Sequence, residues 1–162
     1  MAELTQIETK IAEVIGLAQA AQGATEKVAK LVEDAELKQT LDRMSQEAAE
    51  TEQRTTQVAE GLDGKKTAIL EKARETKQEA TEMMQTYLGS DADGLDGLEF
   101  LTMTEAGEVG HWQILGTMNQ RAGHSELQQV IDWATPIQQR HFDQTLQGSL
   151  KLAAEEDPNE PA

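Results

Sequence analysis

Apolar residues recur at alternating steps of three and four along almost the whole chain, and this periodicity constrains the fold more than any other feature. Such spacing places the apolar residues on one face of an α-helix, as in helical bundles. Short breaks divide the pattern into five segments. The sequence therefore predicts five helices, over about 4–32, 37–62, 69–87, 96–122 and 125–152.

The composition supports an all-α fold. Aromatic residues make up only 3% of the 162 residues, so the core must rest on Leu, Ile, Val, Met and Ala. Long packed helices suit those side chains, whereas strands favour β-branched and aromatic residues. We expect one domain, residues 1–153, because this length matches a single core. Residues 154–162 are acidic and contain two prolines, which predicts a disordered tail.

Four of the predicted helices are long, and the third is shorter and links the first pair to the second. Two helical hairpins joined by a crossover element are typical of ferritin-like bundles. The fold prediction is thus an all-α, ferritin-like four-helix bundle with an extra crossover helix. We expect Asp93 or Asp96 to cap the fourth helix and Gly123 to end it. Ser125, with Gln128 as its capping-box partner, is expected to begin the fifth helix.

Charge and cysteine content exclude several functions. The formal net charge is −16, which argues against binding the nucleic-acid backbone or an anionic membrane surface. There is no Cys, so disulfides, thiolate catalysis and iron–sulfur clusters are ruled out. Neither a signal peptide nor a membrane-spanning stretch is visible, and we therefore expect a cytoplasmic location.

Three ionisable residues occupy positions that the helical pattern assigns to the core: Glu105 and Glu108 on the fourth helix, and His141 on the fifth. A buried carboxylate is costly unless it has a partner or a metal. Glu108 and His111 are three residues apart, as are Gln138 and His141, and Glu-x-x-His motifs on facing helices hold iron or manganese in ferritin-like bundles. These residues are candidate metal ligands.

Aligning the midpoints of antiparallel helices brings several polar residues to one level of the bundle: Gln19 or Gln22, Glu47, Glu105, Glu108, His111, Gln138 and His141. From this set we predict five metal ligands, which are Glu47, Glu105, Glu108, His111 and His141. Each also has a simpler interpretation, as a hydrogen-bonded core group or an exposed acid. An amide at position 138 is a weaker ligand for a hard cation than a carboxylate.

Parts of the chain resemble the YciF-type ferritin-like family, which comprises bacterial stress-associated proteins. The residues that carry the resemblance lie within 17–153: Lys27-Val-Ala-Lys30, Glu36-Leu37-Lys38, Leu41, Glu47, Arg54, Val58, Gly61, Gly116-Thr117 and Gly123-His124. It implies a five-helix ferritin-like fold, a tendency to dimerise and a dinuclear metal site. Glu47 matches the carboxylate of the second helix, and Glu108 and His111 match the ligands of the fourth.

The chain departs from the pattern of that family at several ligand positions. Ala18 or Gln19 stands where the first helix would carry Glu, and Thr51 stands where the second would carry His or Gln. A complete set of di-iron ligands is therefore not expected, which leaves one ion, an unequal pair or no ion.

Two functions follow as hypotheses. The first is a ferritin-like, stress-associated protein that binds one or two iron or manganese ions, with O₂ or peroxide reduction as its chemistry if the metal is redox-active. The second is a metal-free helical bundle with a structural or protein-interaction role. A full oxidase or catalase is least favoured, because carboxylates are missing. We also expect a homodimer, because either Trp112 or Trp133 should lie outside a bundle core of otherwise small side chains.

Overall fold

The computed structural model of the protein describes residues 2–161, and all regular secondary structure in that range is α-helical. The all-α prediction is confirmed, and the third helix is the shortest, as expected. No helix in residues 2–161 combines the length and the apolar character that crossing a bilayer requires. The five helices are α1 (Gln6–Ala29), α2 (Ala35–Glu60), α3 (Lys66–Tyr87), α4 (Gly94–Ala122) and α5 (Ser125–Ala153).

The start of α4 follows the predicted chemistry. The Asp93 side chain accepts a hydrogen bond from the backbone N–H of Asp96, and the Asp96 side chain accepts one from the N–H of Asp93. This reciprocal pair satisfies two backbone donors at the helix start, so Asp93 is the cap. At the other end, Gly123 has φ of +72° and ends α4 in the left-handed conformation that glycine adopts at little cost.

The start of α5 differs from the prediction, which was wrong about Ser125. His124 occupies the capping position without a capping hydrogen bond from its side chain, and Ser125 is the first helical residue. The turn is held instead by Asn119, whose amide nitrogen donates to the carbonyl of His124 and whose amide oxygen accepts from the His124 N–H. The Asn119 amide nitrogen also donates to Gln128. A side chain from the preceding helix thus replaces the capping box.

Two antiparallel hairpins form the frame of the molecule. Residues 30–34 join α1 to α2, and residues 123–124 join α4 to α5. The hairpins pack together through α1 against α4 and through α2 against α5. Contacts of Lys151 with Asp34 and of His141 with Glu47 show that α5 runs antiparallel to α2.

The third helix returns the chain from the end of α2 to the start of α4. It packs mainly on α1 and contacts α2 only slightly. Gly16 lies beside Ala73, and Lys27 donates a hydrogen bond to the carbonyl of Leu88, so α3 runs parallel to α1. A Cβ on Gly16 would lie 2.4 Å from the Ala73 carbonyl oxygen, which shows how closely the two backbones approach.

Two apolar clusters make up the core. One contains Ile11, Val14, Ile15, Val58, Ile69, Trp112, Leu115, Leu127 and Ile131. The other contains Val28, Val32, Leu41, Met44, Leu88, Leu98, Phe100 and Leu101. On α4 the clusters are separated by the buried residues Glu105 and Glu108, which lie between Leu101 and Trp112. The bundle therefore has a layer of buried polar side chains in its middle.

The two tryptophans lie in different surroundings. Trp112 is 1% exposed and belongs to the core. Trp133 is partly buried at the surface, where the Arg54 guanidinium lies 4.4 Å from its ring centroid. The Trp133 ring is therefore covered on one face by a cation within its own chain, which weakens the reason for expecting it at a dimer interface.

Candidate functional site

The helical repeat of α4 carries two carboxylates into the middle of the bundle. Glu105 and Glu108 follow Leu101 and precede Trp112 on the same face, and they are 1% and 7% exposed. Removing a carboxylate from water is costly unless charge or hydrogen bonds compensate it. The partners of these two side chains therefore decide what the site can do.

Glu105 has partners on α5. The amide nitrogen of Gln138 donates a hydrogen bond to Glu105 Oε2. The His141 ring places its Nδ1 3.7 Å from the same oxygen, within ion-pair range but beyond a hydrogen bond. Gln138 and His141 are both buried, so this contact between α4 and α5 is shielded from solvent.

Glu47 of α2 closes the network on the other side of His141. One Glu47 oxygen lies 3.0 Å from His141 Nε2 and also accepts a hydrogen bond from Arg140. The other accepts one from Arg43 Nε at 2.6 Å. Partial burial alone would raise the pKa of Glu47, but the hydrogen bonds from Arg43 and His141 and the charge of Arg140 hold it below its usual value. Glu47 is therefore an ionised carboxylate with its own cations.

Glu108 has no such compensation. Among the described residues, no hydrogen bond or ion pair reaches its carboxyl group. Burial raises its pKa well above the usual value, and the neighbouring charge of Glu105 raises it further. A group in this position must either hold a proton or be neutralised by a cation.

His111 points away from the network. Its Nδ1 lies 3.3 Å from Glu13 Oε2 on α1, but the angles do not make a hydrogen bond. Its side chain is 35% exposed, and Glu13 is also paired with Lys10. One residue turns a helix by about 100°, so His111 lies about 60° from Glu108 around the helix axis. This offset places it at the α1 side of α4.

Other polar side chains near this level of the bundle have different partners. The amides of Gln19 and Gln22 both donate to the Glu52 carboxylate on α2, at distances of 2.8 and 2.7 Å. The hydroxyls of Thr51 and Thr55 donate to backbone carbonyls four residues earlier in α2. These side chains thus have hydrogen-bond partners on α1 or α2. The central polar layer is formed by other residues, of α2, α4 and α5.

The structure therefore joins Glu47, His141 and Glu105 in one chain of contacts, with Glu108 beside Glu105 and His111 apart. Among residues 2–161, no group of three or more His, Asp or Glu side chains lies close enough, as the side chains stand, to hold a metal ion. Sequence reasoning missed Arg43 and Arg140. Arg43 is four residues before Glu47, and this spacing pairs opposite charges on a helix. The sequence could therefore have predicted this ion pair.

Comparisons with known proteins found no match at the level of protein families, curated proteins or solved structures. The resemblance to the YciF-type family therefore stays a hypothesis based on the residues named above.

The donors fit one cation better than two. The buried Glu108 carboxylate has no partner among residues 2–161, Glu105 is its neighbour, and the His141 imidazole lies 3.7 Å from Glu105. Carboxylate and imidazole together suit divalent iron, manganese or zinc. Glu47 is already neutralised by arginines, and Gln138 supplies an amide where a second carboxylate would be needed. If this layer holds metal, its donor set suits one ion and does not suit a dinuclear centre.

We expect Glu108→Gln to stabilise the protein at pH 7 in the presence of a chelator, because burial and the Glu105 charge raise the pKa of Glu108 in the folded state and this lowers the free energy of unfolding once the unfolded chain is ionised. The unfolded group titrates near 4.5. Because the folded pKa is higher, wild-type stability falls as the pH rises above that value, whereas the Gln variant lacks this fall. Urea unfolding of wild type and Glu108→Gln between pH 4 and pH 8 measures the stability difference and its dependence on pH.

The matched control is Glu99→Gln, which removes an exposed carboxylate from the same helix. A surface substitution of this kind is expected to change stability by less than about 0.5 kcal/mol at every pH. An equal pH dependence for wild type and Glu108→Gln would contradict the assignment of Glu108 as the buried, uncompensated acid.

Proposed function

We propose that the protein is a ferritin-like bundle that binds one divalent transition-metal ion in its polar layer. Glu105 and Glu108 would supply carboxylate oxygens, and His141 would supply a ring nitrogen. The helix directions support the fold part of this proposal. The hairpins α1–α2 and α4–α5 pack side by side, and α3 carries the chain from one end of the bundle to the other, which is how ferritin-like bundles with one crossover are connected.

The observation that carries the proposal is Glu108. It is a buried carboxylate next to another buried carboxylate, and no base among the described residues reaches it. Glu105, Glu108 and His141 would hold a divalent cation, and its charge would neutralise both carboxylates. Fe(II) or Mn(II) at this position would supply one-electron redox chemistry.

The proposed ion is tested by isothermal titration of Mn(II), Zn(II) and anaerobic Fe(II) into protein purified without a His tag and stripped with a chelator. We expect one ion per chain. Glu108→Gln is expected to weaken metal binding by about tenfold or more, because a charged carboxylate ligand is replaced by an amide oxygen, which is a weaker ligand. Glu99→Gln controls for the loss of one negative charge on α4.

Equal weakening in the two variants would show that the ions are held by the general acidic field of the chain rather than by Glu108. Wild-type protein that takes up none of the three ions would contradict the proposal outright.

A metal-free bundle with a structural or interaction role is the second candidate, and one observation favours it. The arginines on Glu47 and the Gln138 amide on Glu105 already satisfy much of the polar layer from within the chain. In this case Glu108 holds a proton at neutral pH. The chelator experiment above and the metal titration separate the two candidates, because only a metal site gives saturable binding that depends on Glu108.

Several sequence predictions remain part of the proposal. These are a homodimer, which sedimentation velocity at high micromolar concentration tests, a cytoplasmic location and an association with stress. The last rests on the family resemblance alone.

A further inference from the structure

An apolar groove runs between α3 and α4, with α1 as its floor. It exists because α3 packs on α1 and leaves a gap beside α4. The groove has a volume of about 310 Å³, at the lower end of the range for small-molecule sites. Ala20, Ala21 and Ala24 of α1 form the floor, and Met84 of α3 and Met103 of α4 line opposite walls.

The polar groups of the groove are few, and most are already used. The Thr81 hydroxyl donates to the Lys77 carbonyl, and the Thr104 hydroxyl donates to the Leu101 carbonyl. The remaining polar side chains are those of Glu108 and His111. Glu108 is 7% exposed, and no hydrogen bond from residues 2–161 reaches its carboxyl group. The His111 side chain is 35% exposed, although its Nδ1 atom also lacks a hydrogen-bond partner in that range.

We infer that this groove binds an amphiphilic monoamine, with the alkyl or aryl body against the alanines and methionines and the ammonium group against the Glu108 carboxylate. The shape and the apolar lining of the groove favour the alkyl or aryl body of the ligand. Charge selects the head, because Glu108 has another acid, Glu105, beside it, and Glu13 lies near His111 at the α1 side. The net charge of −16 favours an organic cation over an anion of the same shape.

Methionine side chains suit such a groove. Met83 and Met103 are large apolar residues that are 45% and 42% exposed, and both line it. Their flexible thioethers can adapt to bodies of different shape. One end of the groove lies near Phe100, whose ring centroid is 6.0 Å from that of Tyr87 across α3 and α4.

This inference goes beyond the proposed metal site and does not depend on it. An ammonium group and a metal ion would both neutralise Glu108, so the amine is tested in chelator, where no metal can occupy the site. Metal binding is tested without amine, so either proposal can fail alone.

The probes are octylammonium, octanol and octanoate, which share one alkyl chain and differ in head-group charge. Binding to chelator-treated protein is measured by calorimetry, and the site is located by NMR of ¹³C-labelled methionine methyl groups. We expect octylammonium to bind at least about tenfold more tightly than octanol, as for a charge-assisted contact in a shielded site, and octanoate to bind most weakly. The methyl signals of Met83, Met84 and Met103 should shift, while that of the core residue Met44 stays in place.

Two variants test the head and the body of the ligand separately. Glu108→Gln should reduce the preference for octylammonium over octanol to less than about threefold while octanol still binds. Gly107→Leu fills the groove without a backbone clash, because a Cβ on Gly107 would meet no atom within 4 Å. It should abolish binding of all three probes. Gly110→Leu is the matched control, since its Cβ position is also open and Gly110 does not line the groove.

Three results would overturn the inference. If octanoate bound as tightly as octylammonium, the groove would be an apolar surface that does not discriminate between ligands by head-group charge. No saturable binding of octylammonium, in a wild type that is folded by circular dichroism, would exclude the ligand. A wild-type dimer that Gly107→Leu converts to a monomer would show that a second copy of the chain covers the groove.

Discussion

Gly16→Ala is expected to lower the free energy of unfolding by about 1–3 kcal/mol, the usual cost of overpacking. A Cβ at this position would lie 2.4 Å from the Ala73 carbonyl oxygen and 2.7 Å from the Thr76 Cβ. The nearest obstacle is backbone, which cannot rotate away as a side chain could. The helices α1 and α3 must therefore move apart, and equilibrium urea unfolding measures the result.

Gly23→Ala on the same helix is the matched control. Its Cβ would meet nothing within 4 Å, so the substitution should raise stability by up to about 1 kcal/mol through helix propensity alone. The two variants differ only in position. Equal stability changes would show that α3 does not approach α1 as closely as the contact between Gly16 and Ala73 requires.

Glu108→Gln combined with His141→Ala is expected to abolish stabilisation by metal. If wild type binds one ion, metal at 100 times its Kd should add about 2.7 kcal/mol to the free energy of unfolding. The double variant loses a carboxylate and the nearby imidazole, and the remaining Gln and Thr groups cannot replace them. The comparison of melting temperatures with metal and with chelator measures the loss.

Each single variant should retain part of the rise in melting temperature that metal causes, because one strong donor remains beside Glu105. Glu99→Gln should keep the full wild-type shift. If metal raised the melting temperature of the double variant as much as that of wild type, the ion would have to bind elsewhere on this acidic chain. The proposed site would then be wrong.

Much of the fold follows from local sequence patterns. The three-and-four repeat predicts the helices because burial of an apolar face decides where a helix packs. Asp93 and Gly123 mark helix ends because their chemistry acts within one turn. The turn before Ser125 was predicted wrongly because Asn119, a residue of the preceding helix, replaces the cap, and a local motif does not reveal such a tertiary contact.

The candidate site was predictable only in part, for a related reason. Periodicity alone indicated that Glu105, Glu108 and His141 would be buried. It did not indicate that Arg140 would reach Glu47 on another helix, or that His111 would turn towards Glu13. Those contacts depend on the register between helices, where a shift of one residue rotates a side chain by about 100° around its helix.

We propose that the polar layer holds one metal ion at Glu105 and Glu108. Crystals of the protein grown with one equivalent of Mn(II), measured with X-rays above and below the manganese absorption edge, test it most directly. We expect a single anomalous peak at bonding distance from carboxylate oxygens of both residues. A map with no peak in the bundle, or with manganese only on surface carboxylates, would contradict it.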